Sequence, residues 1–396
     1  MKDNITNNLQ KLDFIDFLTL LFIGFYYVTN PPFIKSGFQV QYSSLLNILE
    51  ITIIGFLLIR VFPIKYSAIC IIFFIGSLYF YTSIINQDSL KNVLEKSSIG
   101  LSIFIVYQLL KNNKKLLAGH TILWIGFSIF SSISAILMLI AISFFPEFIT
   151  PVKILNYEYN YLHIPIGGYF LLTGDGFPRF CGYFFEPIVM GMFFSLNIII
   201  SDYLIISNKR KNVFLVLSII GGICTFSFGF FIIIILFGTF KVIQNKSINV
   251  SLIFFTFISS FVIYYFETFI SGLTSYKLFS RFNRYLTSFE ILQNSSILHL
   301  IHGYGDKSGH LVEAHASINV FLTLILFHGI ILGPIIILIF LNLWSKNNLI
   351  FLFSIFYSFL LFFLFYPIIS IGLLFSILVY ERSKTGDSSN QFNFGY

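Results

Sequence analysis

The chain has 396 residues, 57% of them hydrophobic and only 10% charged, and that poverty of charge excludes a soluble globular domain of this length. The formal net charge of +7 does not signal nucleic acid, because the lysines and arginines sit in short segments between apolar runs. Three cysteines, Cys70, Cys181 and Cys224, are too few and too scattered for a disulfide framework or a zinc site.

The apolar residues fall in blocks of about 20, the length that crosses a bilayer. Met1–Lys11 is polar and the run after it has no small-residue cleavage site, so the first span is expected to be retained. In chain order the runs are Phe14–Val28, Ser43–Phe62, Ile64–Ile85, Ser98–Leu110, His120–Phe145 and Tyr183–Ile206. Val213–Ile243 is too long for one span and divides at Thr225-Phe226-Ser227-Phe228-Gly229. Val250–Phe269 and Ile318–Leu341 follow, and Leu349–Tyr380 divides at Pro367, since proline interrupts the helical ladder. The expectation is an all-α polytopic membrane protein, a single integral domain over 1–396 with about twelve spans.

With the N-terminus cytoplasmic, 15 of the 24 lysines and arginines fall inside and 9 outside. The inside charges form tight runs such as Lys111-Asn112-Asn113-Lys114-Lys115 and Lys209-Arg210-Lys211, the positive-inside pattern. An even span count then puts both termini in the cytoplasm. Two outside loops, 146–182 and 270–317, exceed what connection requires, so the working surface is expected outside.

The residues with chemical potential gather there. Arg179 opens Arg179-Phe180-Cys181-Gly182-Tyr183-Phe184-Phe185-Glu186-Pro187, at the mouth of the sixth run. Arg281 and Arg284 are three apart and would share a helical face. Guanidinium is permanently charged and matches phosphate oxygens as a fork, although interfacial contact with lipid headgroups also suits an outside arginine. Glu186 precedes Pro187 at a helix start, where the helix N-terminus favours a carboxylate; partnership with Arg179 is an equal reading. Glu50 lies mid-run, three residues after Asn47, and a hydrogen bond inside the bundle is its favoured reading. Five of the seven histidines fall between 299 and 328, but His299-x-x-His302 has no well-placed acid or cysteine set, so no metal is expected. His315, at the end of the second loop and the start of the tenth span, is placed for proton transfer, while His328 reads as packed or hydrogen-bonded.

These segments resemble the bacterial O-antigen polymerases and O-antigen ligases. Arg179-x-x-Gly182-x-Phe184-x-x-Pro187-x-x-x-Gly191 looks like that family's entrance segment, and Thr225-x-Ser227-x-Gly229 its short hairpin, with Phe228 where many members carry arginine. Arg284 followed by Gly303-x-Gly305 resembles the outer-loop pattern. His315-x-x-x-Asn319-x-x-Leu322 with Gly329-x-x-x-Gly333 resembles the start of the next span, with Ala316 where asparagine is common.

The resemblance implies glycan transfer from an undecaprenyl (polyprenyl) diphosphate carrier on the outer face of the cytoplasmic membrane. It needs no cofactor and no metal. Arg179, Arg284 and His315 would be catalytic, and Arg281, Glu186, Gly303 and Gly305 would contact substrate. The partners would be the lipid-linked oligosaccharide, membrane lipid and a chain-length regulator protein, with no nucleic acid. The reading preferred is a polymerase of O-antigen or capsular repeat units. The alternatives are the ligase that moves a finished chain to lipid A core, a lipid-linked glycan flippase, and a purely structural partner in glycan assembly. Transporters usually carry polar residues through several spans, whereas here they gather in two outside loops.

Overall fold

The computed structural model describes residues 13–29, 90–144, 150–154, 157–164, 168–172, 178–182, 187–204, 207–245, 286–305, 320–360 and 367–384, with single positions or short pieces at 49, 52–53, 55–57, 77, 80–81 and 83–86. They belong to two compact units, one within Met1–Val61, Ser102–Ile232 and Tyr366–Tyr396, the other within Phe62–Leu101 and Ile233–Phe365. The helices are α1 (Phe14–Thr29), α2 (Leu90–Asn112), α3 (Lys114–Phe144), α4 (Pro187–Tyr203), α5 (Asn208–Cys224), α6 (Phe228–Asn245), α7 over 286–293, α8 (Ile297–His302), α9 (Val320–Trp344), α10 (Asn348–Leu360) and α11 (Pro367–Lys384). The divisions expected at Thr225–Gly229 and at Pro367 are both present, as the α5–α6 break and the start of α11. The expected second and ninth spans, with Glu50 and Asn47, lie largely or wholly outside the described residues.

The chain is mostly but not all helical. The stretch expected as a loop, 146–182, contains an antiparallel meander of β1 (Thr150–Ile154), β2 (Tyr157–Ile164), β3 (Gly168–Leu172) and β4 (Pro178–Gly182), in that order across the sheet. The signal was in the sequence: Tyr157, Tyr159 and Tyr161 recur with period two, and glycines punctuate the gaps on both sides of β3. β4 is an edge strand in which Leu171 opposes Arg179.

In the first unit α4 is the centre. It is buried along most of its length and packs on α5, α11 and β4, while α3 packs on α1, α5 and β4. Large aromatic rings meet missing side chains. Phe194 fills the place of a Cβ on Gly221, Phe230 that on Gly222, and the Trp124 indole that on Gly372. Small residues let apolar helices approach closely in the absence of a water-driven hydrophobic force.

Several buried serines and threonines are satisfied within their own helices. Thr121 donates to Leu117 O, Ser128 to Trp124 O, Ser132 to Ser128 O and Ser195 to Gly191 O, each four residues back. Asn113 caps α3, its Oδ1 accepting from the N–H of Lys115 and Leu116.

α3 has 31 residues, and Phe321–Leu343 of α9 has 23; both are long and apolar enough to cross a membrane. The polarity of α3 is inverted relative to a helix in water. Ser128, Ser131, Ser132 and Ser134 are buried, whereas Phe130, Ile133, Leu137, Ile140 and Phe144 form an exposed stripe at three- and four-residue spacing.

Two polar pairs lie inside the aromatic centre of this unit. The Trp124 indole N–H donates to Asn197 Oδ1 at 2.8 Å, and Tyr27 Oη stands 2.6 Å from His120 Nε2. Trp124→Phe is expected to lower the thermal unfolding midpoint of the protein in bilayer discs. Orphaning the buried Asn197 carbonyl costs about 1–3 kcal/mol, and the smaller ring adds lost packing. An unchanged midpoint would mean the Asn197 carbonyl finds water.

Candidate functional site

Two built features carry the segments singled out in the sequence, one in each unit. The first is organised on Arg179. Its Nη2 donates to Phe226 O at 3.0 Å and its Nε to Thr225 O at 3.4 Å, so an edge-strand guanidinium holds the turn that ends α5 and starts α6. The pairing has an electrostatic reason: the carbonyl end of α5 carries partial negative charge and lacks intrahelical partners.

The turn itself is tight. Thr225 Oγ1 donates to Gly222 O and accepts from the Ser227 N–H, while the backbone N–H of Phe226 donates to Ile223 O. Phe226 adopts φ 45°, a left-handed conformation rare for an aromatic residue and therefore strained.

Ser227 Oγ is buried and makes no hydrogen bond among the described residues. The hydroxyl sits against α4: a Cβ on Gly191 would stand 2.8 Å from Ser227 Cβ and 2.9 Å from its Oγ, so only glycine permits the approach. Arg179, Gly191 and the Thr225–Ser227 turn, up to 48 residues apart in sequence, thus form one constellation. A permanent positive charge stands where α6 starts, and a helix N-terminus also favours an anion.

The second feature is a backbone lock in the other unit. α9 is broken at Gly329, which has φ 73° and ψ 178°, and the carbonyls released by the break are taken by the Gly303–Gly305 turn. The Tyr304 N–H donates to Leu326 O at 2.7 Å and the Gly305 N–H to Phe327 O at 3.1 Å. Gly303 has φ 76° and its N–H closes α8 on His299 O. A Cβ on Gly303 would stand 2.6 Å from the Gly329 nitrogen, and a Cβ on Gly329 2.7 Å from the Gly303 nitrogen. Two glycines 26 residues apart are therefore required by each other. The two turn N–H groups are bonded within the protein, so what Gly303 and Gly305 supply here is shape.

Side chains dress the lock. The His299 and Tyr304 rings stack at 4.4 Å and 6°, Tyr304 Oη is 2.7 Å from Ser295 Oγ, and Ser296 Oγ is 2.9 Å from His299 Nδ1. Asn86 Nδ2 donates to His302 O, and the Tyr81 and His302 rings meet edge to face. The sequence pattern weighed His299 only as a metal ligand, and did not single out Tyr304 or the carbonyls of Thr225 and Phe226. Only the adjacent glycines and the N-cap serine, Ser296, hinted at them.

Gly303→Ala is expected to lower the unfolding midpoint and the yield of folded protein. Positive-φ strain costs about 1–3 kcal/mol, and the methyl also strikes backbone rather than a movable side chain. Unaltered thermal unfolding of Gly303→Ala would show that the lock does not form.

Of the residues expected in the site, Arg179, Gly303 and Gly305 are placed as above; Glu186, Arg281, Arg284 and His315 lie outside the described residues. Comparison with protein-family models, with curated proteins and with solved structures gives no match.

Proposed function

We propose that the chain is a multi-pass protein of the bacterial cytoplasmic membrane, with both termini cytoplasmic and about twelve spans. It joins polyprenyl-diphosphate-linked oligosaccharide repeat units into O-antigen or capsular polysaccharide on the outer face. The observation that carries this reading is the meeting of Arg179 with the Thr225–Ser227 turn and Gly191. Those segments each resemble O-antigen polymerases and ligases, and their meeting is what a site for the carrier diphosphate requires. The two long apolar helices and the inverted polarity of α3 support the membrane part.

The chemistry follows from the groups. A hydroxyl of the acceptor repeat attacks the anomeric carbon of the donor glycan, a new carbon–oxygen bond forms and the bond to the diphosphate breaks. The electron pair leaves with the lipid diphosphate, and His315 takes the hydroxyl proton. Arg179 and Arg284 stabilise the departing diphosphate more than the bound donor, which is what accelerates a reaction. Arg281 is a secondary contact to the carrier, Glu186 orients a sugar or Arg179, and Gly303 and Gly305 shape the outer loop that carries Arg281, Arg284 and His315. A chain-length regulator protein is the natural partner of such an enzyme, and no metal or nucleotide is required.

The test is the surface glycan of a deletion strain. A single repeat on lipid A core supports the polymerase. Long chains stranded on the lipid carrier would point to the ligase, and absence of lipid-linked units outside would point to a flippase.

A further inference from the structure

We infer that α7, α8 and the turn after them, residues 286–305, lie in the membrane interface with their exposed apolar side chains among lipid acyl chains, so that the partner of this surface is the bilayer itself. The inference rests on the membrane part of the proposed function and not on its glycan chemistry.

The first observation is depth. Phe321–Leu343 has 23 residues, in helical pieces of about 12 and 21 Å that meet at the Gly329 break, so both pieces are needed to cross a hydrocarbon core of about 30 Å. The turn is hydrogen-bonded to the carbonyls of Leu326 and Phe327, about 8–10 Å along α9 from its start. An element tied there lies below the headgroups. Irregular backbone at that depth is tolerated only when its polar groups are satisfied by protein, and here the N–H groups of Gly303, Tyr304 and Gly305 all donate to carbonyls.

The second observation is an inverted surface. Leu286, Phe289, Ile297 and Leu298 are 45, 58, 77 and 56% exposed, while Ser288 is 2% exposed. Water would select the reverse. Tyr304, Ile291 and Leu292 instead pack on Leu326 of α9, so the segment has an inner face already occupied and an outer apolar face turned away from the protein. The exposure continues in α9 just past the break, at Ile330 and Ile331. Polar Glu290, Gln293, Asn294 and Ser296, also exposed, suit the headgroup layer. A short amphipathic segment of this kind sinks its apolar side about 5–10 Å into the headgroup and acyl boundary, which matches the depth of the anchor.

The consequence is that the second long segment is pinned at membrane depth just before residues 306–317.

The experiment is indole quenching in full-length protein reconstituted in phosphatidylcholine vesicles. Ile297→Trp, Leu298→Trp and the conservative aromatic exchange Phe289→Trp are compared with the parent, which contributes two tryptophans. Leu338→Trp, at an exposed site of α9, reports the span itself. The expected result is that lipid brominated near the headgroup end of its chains quenches at least about half of the added fluorescence at Ile297, Leu298 and Phe289, with water-borne acrylamide quenching little. Strong acrylamide quenching with none from brominated lipid would put the segment in water and overturn the inference. Absence of both would mean that a second copy or another protein covers it, which overturns it equally. Leu338→Trp separates the two readings: quenching there by deeply brominated lipid, without quenching at Ile297, removes the interfacial segment and leaves the membrane protein.

Discussion

Arg179→Ala is expected to abolish the polymer ladder in cells and to reduce polymerisation by purified protein about 10²–10³-fold, the usual effect of removing one preorganised group from a developing negative charge. The same guanidinium donates to the carbonyls of Thr225 and Phe226, so the alanine variant also loosens the turn between α5 and α6. Protein level and unfolding midpoint must therefore be read beside activity. Arg179→Lys separates the contributions. It retains a charge near the helix N-terminus but lacks the planar fork, so it should recover part of the rate and little of the turn's rigidity. Arg284→Ala should be as severe in activity, and Arg281→Ala milder. A full ladder from both Arg179→Ala and Arg284→Ala at normal protein level would remove the diphosphate-binding role.

His315→Ala is expected to lose most activity, about 10²–10⁴-fold, the range for loss of a general base. His315→Gln keeps a hydrogen-bonding group without basicity and should not restore the rate. Activity of His315→Gln close to that of the parent, with EDTA present, would make His315 a structural hydrogen bonder and direct the search for the base to Glu186.

The long-period features of the fold were legible in the sequence. Several apolar runs correspond to described helices, and the polar-glycine interruption at Thr225–Gly229 and the proline at 367 mark breaks, because each removes backbone hydrogen bonds that a continuous helix needs. The sheet was missed because the Tyr-rich stretch between two spans reads as a long outside loop, although its period-two tyrosines are a strand signal. The break at Gly329 was hidden for a different reason. Glycine inside a run of leucine and isoleucine reads as a packing site, and nothing local shows that its φ is positive until Gly303 is seen against it. The same limit applies to Arg179. Its place at the mouth of a span was evident, but its partners are backbone carbonyls 46 and 47 residues away, and carbonyls leave no mark in a sequence.

The central claim is that this chain alone lengthens lipid-linked glycans. The direct measurement is incubation of the purified protein, in bilayer discs with EDTA, with one polyprenyl-diphosphate-linked repeat unit, and analysis of both products. The expected product is a ladder of lipid-linked chains with one free polyprenyl diphosphate released for each repeat joined. Unchanged substrate, or transfer only when lipid A core is supplied, would contradict it.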